Sequence, residues 1–139
     1  MVSVHAPSDA PACGHCAQVA YRAPGSQQAA WVDLYNRLYR ERILFLGQQV
    51  ADDIANQMIG VMLFLDSEDN SKPVYMYINS PGGFLDDGLQ MIRLVRAVPN
   101  LTCIAENAFS MAFAILQACD VRAVLDTGSI MQHLSLIHI

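Results

Sequence analysis

At 139 residues and 53% hydrophobic, the chain has enough length for one domain with a sizeable buried core, and not for two. Thirteen acidic residues against eight basic ones give a net charge of -5, and no Lys/Arg cluster occurs, which argues against nucleic acid or an anionic membrane as a partner. The apolar runs fall short of the ~18 residues that span a bilayer, and the amino-terminal stretch lacks the basic-then-apolar layout of a signal peptide, so the chain reads as soluble.

Residues 1–30 are rich in Ala, Pro, Ser, Gly and Gln without helical or strand periodicity and are expected to form a flexible arm. Within it, Cys13-Gly14-His15-Cys16 has C-x-x-C spacing. No second ligand pair follows at zinc-finger spacing and no strand precedes it, so neither a metal nor a redox role is expected there. Trp31, Leu34, Tyr35, Leu38 and Tyr39 recur at helical spacing and predict an amphipathic helix over 31–42. Residues 43–46 form an apolar strand ended by Gly47. Asp52 or Asp53 then caps a helix whose stripe is Ile54, Met58, Ile59, Met62 and Leu65, running out in a polar loop at 66–72.

Residues 74–78 are almost continuously apolar and predict a strand covered on both faces. Asn79, Ser80, Pro81, Gly82 and Gly83 follow. The paired glycines allow positive φ and let backbone N–H groups approach a ligand at the carboxyl end of a sheet, where α/β sites lie. Asp86 and Asp87 suit the start of a helix faced by Leu89, Ile92 and Val95 and ended before Pro99. A strand over 101–105 and a buried helix over 110–119 come next, then short strands at 121–125 and 129–132 about a turn at 126–128. Regular alternation of strand and helix implies a parallel sheet with right-handed crossovers, an α/β fold. Cys103 and Cys119, in apolar runs, are expected to be free buried thiols in a reducing compartment.

Ser110 directly follows a strand and a short turn and opens a buried helix. Two readings are open: an N-cap serine, or a nucleophile beside unpaired N–H groups at the positive end of the helix dipole. The runs Arg40-Glu41-Arg42-Ile43-Leu44-Phe45-Leu46-Gly47, Val74-Tyr75-Met76-Tyr77-Ile78-Asn79-Ser80-Pro81-Gly82-Gly83 and Ser110-Met111, in this order, resemble the ClpP family, the proteolytic subunit of the Clp protease. Tyr21-Arg22-Ala23-Pro24-Gly25 and the stretch from Trp31 to Arg42 further resemble plastid and cyanobacterial members, among them the ClpR subunits that lack a complete triad.

The resemblance implies the ClpP/crotonase-like fold of repeated ββα units, here incomplete, with a partial protease domain at 31–133. It implies a serine-type endopeptidase that cleaves unfolded polypeptides inside a ring-shaped chamber. Position by position, the nucleophile falls on Ser110, the general base on His133, and the oxyanion donors on the backbone N–H groups of Gly83 and Met111. No metal or cofactor is implied in this subunit. The partners are polypeptide substrates, an AAA+ Clp unfoldase that uses the ATP, and homo- or hetero-oligomeric heptameric rings of ClpP/ClpR subunits, in the chloroplast stroma or a bacterial cytoplasm. The chain departs from the pattern at Glu106-Asn107-Ala108-Phe109, at Ala112, and in the spacing of Ser110 from His133. The family's aspartate lies well beyond the histidine, and neither Asp120 nor Asp126 matches it, so little activity is expected of these 139 residues alone. Residues 134–139, which include His138, fit no family pattern and are expected to be a non-native tail. The alternatives are a non-catalytic ClpR-like ring subunit and a crotonase-type acyl-CoA enzyme.

Overall fold

The structure is a computed structural model that describes residues 17–133; the C-x-x-C motif, the expected tail and His138 lie outside them. The chain divides into two units, Met1–Glu41 and Arg42–Ile139.

In the first unit, strand β1 (Gln18–Tyr21) pairs antiparallel with β2 (Ala30–Asp33), setting Val19 opposite Val32 and Ala20 opposite Trp31. This corrects the expectation of an arm without strand structure up to residue 30. Helix α1 (Leu34–Arg40) starts later than helical spacing predicts, because Trp31 and Val32 favour the pleated pairing and Asp33 caps. Asp33 has extended backbone, and its Oδ2 accepts the Asn36 N–H at 2.9 Å. Arg37 lies over the Tyr21 ring, 4.4 Å from its centroid, and pairs with Glu41 one helical turn on.

The second unit alternates β3 (Ile43–Leu46), α2 (Asp52–Glu68), β4 (Val74–Ser80), α3 (Leu85–Ala97), β5 (Leu101–Phe109), α4 (Met111–Ala118) and β6 (Val121–Met131). All pairings are parallel and the order is β3-β4-β5-β6, the order of the sequence. A sheet that grows in one direction by crossovers of one hand must place every crossover helix on the same face. The α/β architecture expected from the sequence is therefore present, with a single helical layer. Leu44, Leu46, Val74, Met76, Ile78, Cys103 and Ala105 of the sheet bury against Met58, Met62, Leu65, Met91, Val95, Ile115 and Leu116 of the helices. None of the described helices is long and apolar enough to cross a membrane.

One consequence corrects the expectation for β4. The strand is covered on one face only: Val74, Met76 and Ile78 are buried, whereas Tyr75 and Tyr77 remain 40% and 41% exposed. The Tyr77 ring stacks on Phe45 of β3, its register partner, at 5.6 Å. The two short strands expected at 121–125 and 129–132 are one strand, β6. The turn signal at Asp126-Thr127-Gly128 survives as an irregularity, where Ala105 pairs with Val124 but Asn107 with Ser129. Opposite it, Glu106 is the extra residue of a bulge in β5, because β4 also steps from the Ile78–Ala105 pair to Asn79–Asn107. An amide ladder flanks the bulge: Asn107 Nδ2 donates to Asn79 Oδ1 at 3.2 Å, and Asn79 Nδ2 to Glu106 Oε2 at 3.1 Å.

The cysteines also differ from expectation. Cys103 points from β5 into the helical layer, Cys119 caps the carboxyl end of α4, and the two form a buried disulfide, with Cα atoms 6.1 Å apart. Packing of α4 on β5 creates this pairing, and no local spacing announces it. At a sequence separation of 16, loop closure contributes about 3 kcal/mol. Cys119→Ala should lower the thermal midpoint, followed by circular dichroism under oxidising conditions, by at least about 5 °C; an unchanged midpoint would show that the bond contributes nothing.

The α2–β4 connection supplies a second test. The Asp69 carboxyl is lowered to about 2, first by the Ser71 hydroxyl, then by the Ser71 N–H and by Lys72. A depressed carboxyl stabilises the turn above the ordinary carboxylate range of ~4, and the contribution is lost as pH falls towards about 2. A carboxyl titration by NMR should find the Asp69 midpoint about 2 rather than near 4.

Candidate active site

The carboxyl ends of the parallel strands carry the residues singled out from the sequence. At the end of β4, Ser80 is buried; its hydroxyl donates to the Gln48 carbonyl at 2.7 Å and accepts the Gly82 N–H at 3.2 Å. Gly82 then turns with φ 92°, and its carbonyl accepts the Val50 N–H at 2.9 Å. The Val50 carbonyl accepts the Phe84 N–H at 2.9 Å, so Gly83 bridges to Val50 in parallel fashion. These bonds use the N–H groups of Val50, Gly82 and Phe84; the Gly83 N–H donates none of them.

Both glycines are demanded by close approach. A Cβ on Gly83 would overlap the Val50 backbone. A Cβ on Gly82 would lie 2.6 Å from the Phe109 carbonyl oxygen, 2.8 Å from the Ser110 Cβ and 2.9 Å from the Met111 nitrogen. The diglycine loop is thus in direct contact with the turn between β5 and α4. Sequence reasoning singled out the glycine pair for positive φ and close approach but gave a site role to Gly83 alone; it is Gly82 that takes the positive φ.

Ser110 sits in that turn with φ 53° and ψ -118°, far from the extended backbone of an N-cap, and its side chain makes no capping hydrogen bond. The N-cap reading of Ser110 therefore fails on both counts. A non-glycine residue at positive φ costs about 1–3 kcal/mol and persists only where the surroundings fix it. They do: the Ser110 N–H donates to the Met131 carbonyl at 2.8 Å, and the Ser110 carbonyl accepts from Phe113 at 3.1 Å and Ala114 at 3.3 Å. The residue is half-buried at a sharp strand-to-helix turn, the geometry of a nucleophile elbow.

Met111 is the first residue of α4, so its N–H lies among the helix's amino-terminal donors. Met131, bonded to Ser110, pairs with Phe109 and ends β6 two residues before the exposed His133. Gly83, Ser110, Met111 and His133 accordingly share one edge of the sheet. Asp120 immediately precedes β6 and lies at the opposite edge, and Asp126 is exposed within the β6 irregularity. Among the described residues, no three His, Cys, Asp or Glu side chains gather as a metal site requires.

A family model described as Clp protease matches residues 26–138, which take in the diglycine loop, Ser110 and His133. The chain belongs to the Clp protease family. It is 48% identical over 120 residues to a protein of Chara vulgaris named ATP-dependent Clp protease proteolytic subunit, an alignment covering 84% of the chain and 55% of that protein. A protein of the same name from Marchantia polymorpha is 47% identical over 120 residues, with 84% and 59% covered. A third, from Chlorokybus atmophyticus, is 52% identical over 101 residues, with 71% and 45% covered. The chain spans about half the length of these curated relatives.

The close approach at Gly82 and the open space at Gly60 give opposite expectations for the same substitution. Gly82→Ala must move the Phe109–Met111 turn, and it adds a side chain at positive φ, which should lower stability by about 1–3 kcal/mol. Gly60→Ala, inside α2 with nothing near its Cβ, should raise it by up to about 1 kcal/mol. Denaturant midpoints of the two variants that move in the same direction would contradict this.

Proposed function

We propose that the chain is part of a serine-type endopeptidase subunit of a Clp-type ATP-dependent protease that degrades unfolded proteins. The observation that carries the reading is Ser110, uncapped, at positive φ and in contact with the diglycine loop. The Ser110 hydroxyl attacks the peptide carbonyl. His133 takes its proton and returns it to the leaving amine, and the N–H groups of Gly83 and Met111 stabilise the oxyanion. A chamber enzyme of this kind needs no metal or cofactor in this subunit.

The aspartate that would orient His133 belongs, in this reading, to the part of the relatives' length that the chain does not cover. These 139 residues alone should therefore hydrolyse peptides slowly or not at all. Assembly with further ClpP/ClpR subunits into rings, and with an AAA+ Clp unfoldase, fits the apolar surface the unit leaves open. Leu63, Phe64, Tyr75 and Tyr77 are exposed, as are Val121, Val124, Leu125, Ile130 and Met131 along β6. The relatives come from photosynthetic eukaryotes, which favours the chloroplast stroma over a bacterial cytoplasm.

In the full-length protein of this gene, Ser110→Ala should lower hydrolysis of a short fluorogenic peptide by at least about a thousandfold and abolish labelling by a fluorophosphonate. Full-length protein that assembles but neither cleaves nor takes the label would mark a structural ring subunit instead. Hydrolysis by the 139-residue chain that disappears in Ser110→Ala would overturn the expectation that it is inactive alone.

A further inference from the structure

We infer that Gly88 is a positioning residue for the oxyanion donors, acting through the Met111 side chain; the inference rests on the protease reading above. Gly88 is buried in the first turns of α3, where its N–H donates to the Phe84 carbonyl at 3.1 Å. Its φ is not in the left-handed region, so no backbone conformation requires glycine there, and glycine is a poorer helix former than alanine. What requires it is space: a Cβ would occupy the positions of the Met111 Cγ and Sδ.

Met111 is held from two sides. Its side chain lies on the bare backbone of α3 at Gly88, and its nitrogen lies against Gly82. A Cβ at position 88 would displace that side chain, and the displacement falls on the residue that carries the N–H. The same helix begins two residues after Gly83, with Phe84 as its N-cap. One helix thus adjoins both donors, Gly83 through the chain and Met111 through the contact at Gly88. A donor displaced from the developing oxyanion loses its effect on the transition state while leaving ground-state binding of the peptide unchanged.

The test uses the full-length assembled protein and a short fluorogenic peptide. Gly88→Ala should lower kcat by roughly ten- to a hundredfold with KM within about twofold. Adding Met111→Ala, which keeps the backbone N–H and removes the overlapping atoms, should restore kcat at least about tenfold over Gly88→Ala. A substitution that only loosened the fold would show no such rescue. Wild-type kcat in Gly88→Ala, or a double variant no better than the single one, overturns the inference. Should Gly88→Ala fail to assemble, Met111→Ala alone, which empties the space at Gly88, is expected to lower kcat about tenfold at constant KM, and an unchanged kcat overturns the inference. Ser110→Ala run in parallel separates the two levels. If it retains hydrolysis, the protease reading itself fails; if it abolishes hydrolysis while Gly88→Ala does not lower kcat, only the role of Gly88 fails.

Discussion

The contact between the Gly82 backbone and the turn formed by Phe109, Ser110 and Met111 is the constraint on which the site depends. It brings the loop after β4 against the loop after β5, closer than any residue with a Cβ would permit. Gly82 meets that demand by lacking a side chain and by taking positive φ, and Ser110 meets it by accepting an unfavourable backbone conformation of its own. The hydrogen bonds from Val50 to Gly82 and from Ser110 to Met131 extend the contact to three strand ends. The strain at Ser110 is sustained because both its N–H and its carbonyl are engaged.

Around this contact the architecture is simple. Ligand sites in open α/β sheets usually open where strand order reverses, but the sheet here grows in one direction and has no reversal. The carboxyl edge is shaped locally instead, by the diglycine loop in contact with the Ser110 turn and by the bulge at Glu106 shortly before it. The one-sided helical layer leaves the opposite sheet face, with Tyr75 and Tyr77, open in the isolated unit.

Much of this was legible in the sequence. Residues 43–46 read as a strand because four apolar residues end at a glycine, and β3 has those bounds. Residues 31–33 were misread because Trp31 fits helical spacing as well as a pleat, and the cap at Asp33 decides between them only once β1 is present to pair. The two-sided cover expected for β4 failed because an apolar run cannot report how many layers a chain supplies. The turn residues at 126–128 were recognised, but hydrogen bonding to β5 on both sides turned a strand break into an irregularity within one strand. The disulfide was invisible because Cys103 and Cys119 meet only through the packing of α4 on β5. At the site, the resemblance to the ClpP family pointed to Gly83, Ser110, Met111 and His133, while local sequence left Ser110 open between cap and nucleophile. Only its dihedral angles and the missing cap bond remove the first of these. Gly88 could not be found from composition, since the reason for it is a side chain on a distant segment.

The extra residue in β5 reverses the parity of the strand. Leu101, Cys103 and Ala105 face the helices at odd positions, but beyond Glu106 it is Ala108 that is buried, while Asn107 and Phe109 are only partly covered. A strand that kept Glu106 in regular pleat instead of bulging would carry the odd sequence through and turn the aromatic ring of Phe109 into the space now filled by the methyl group of Ala108. The bulge therefore decides which way the polypeptide is facing when it arrives at the serine.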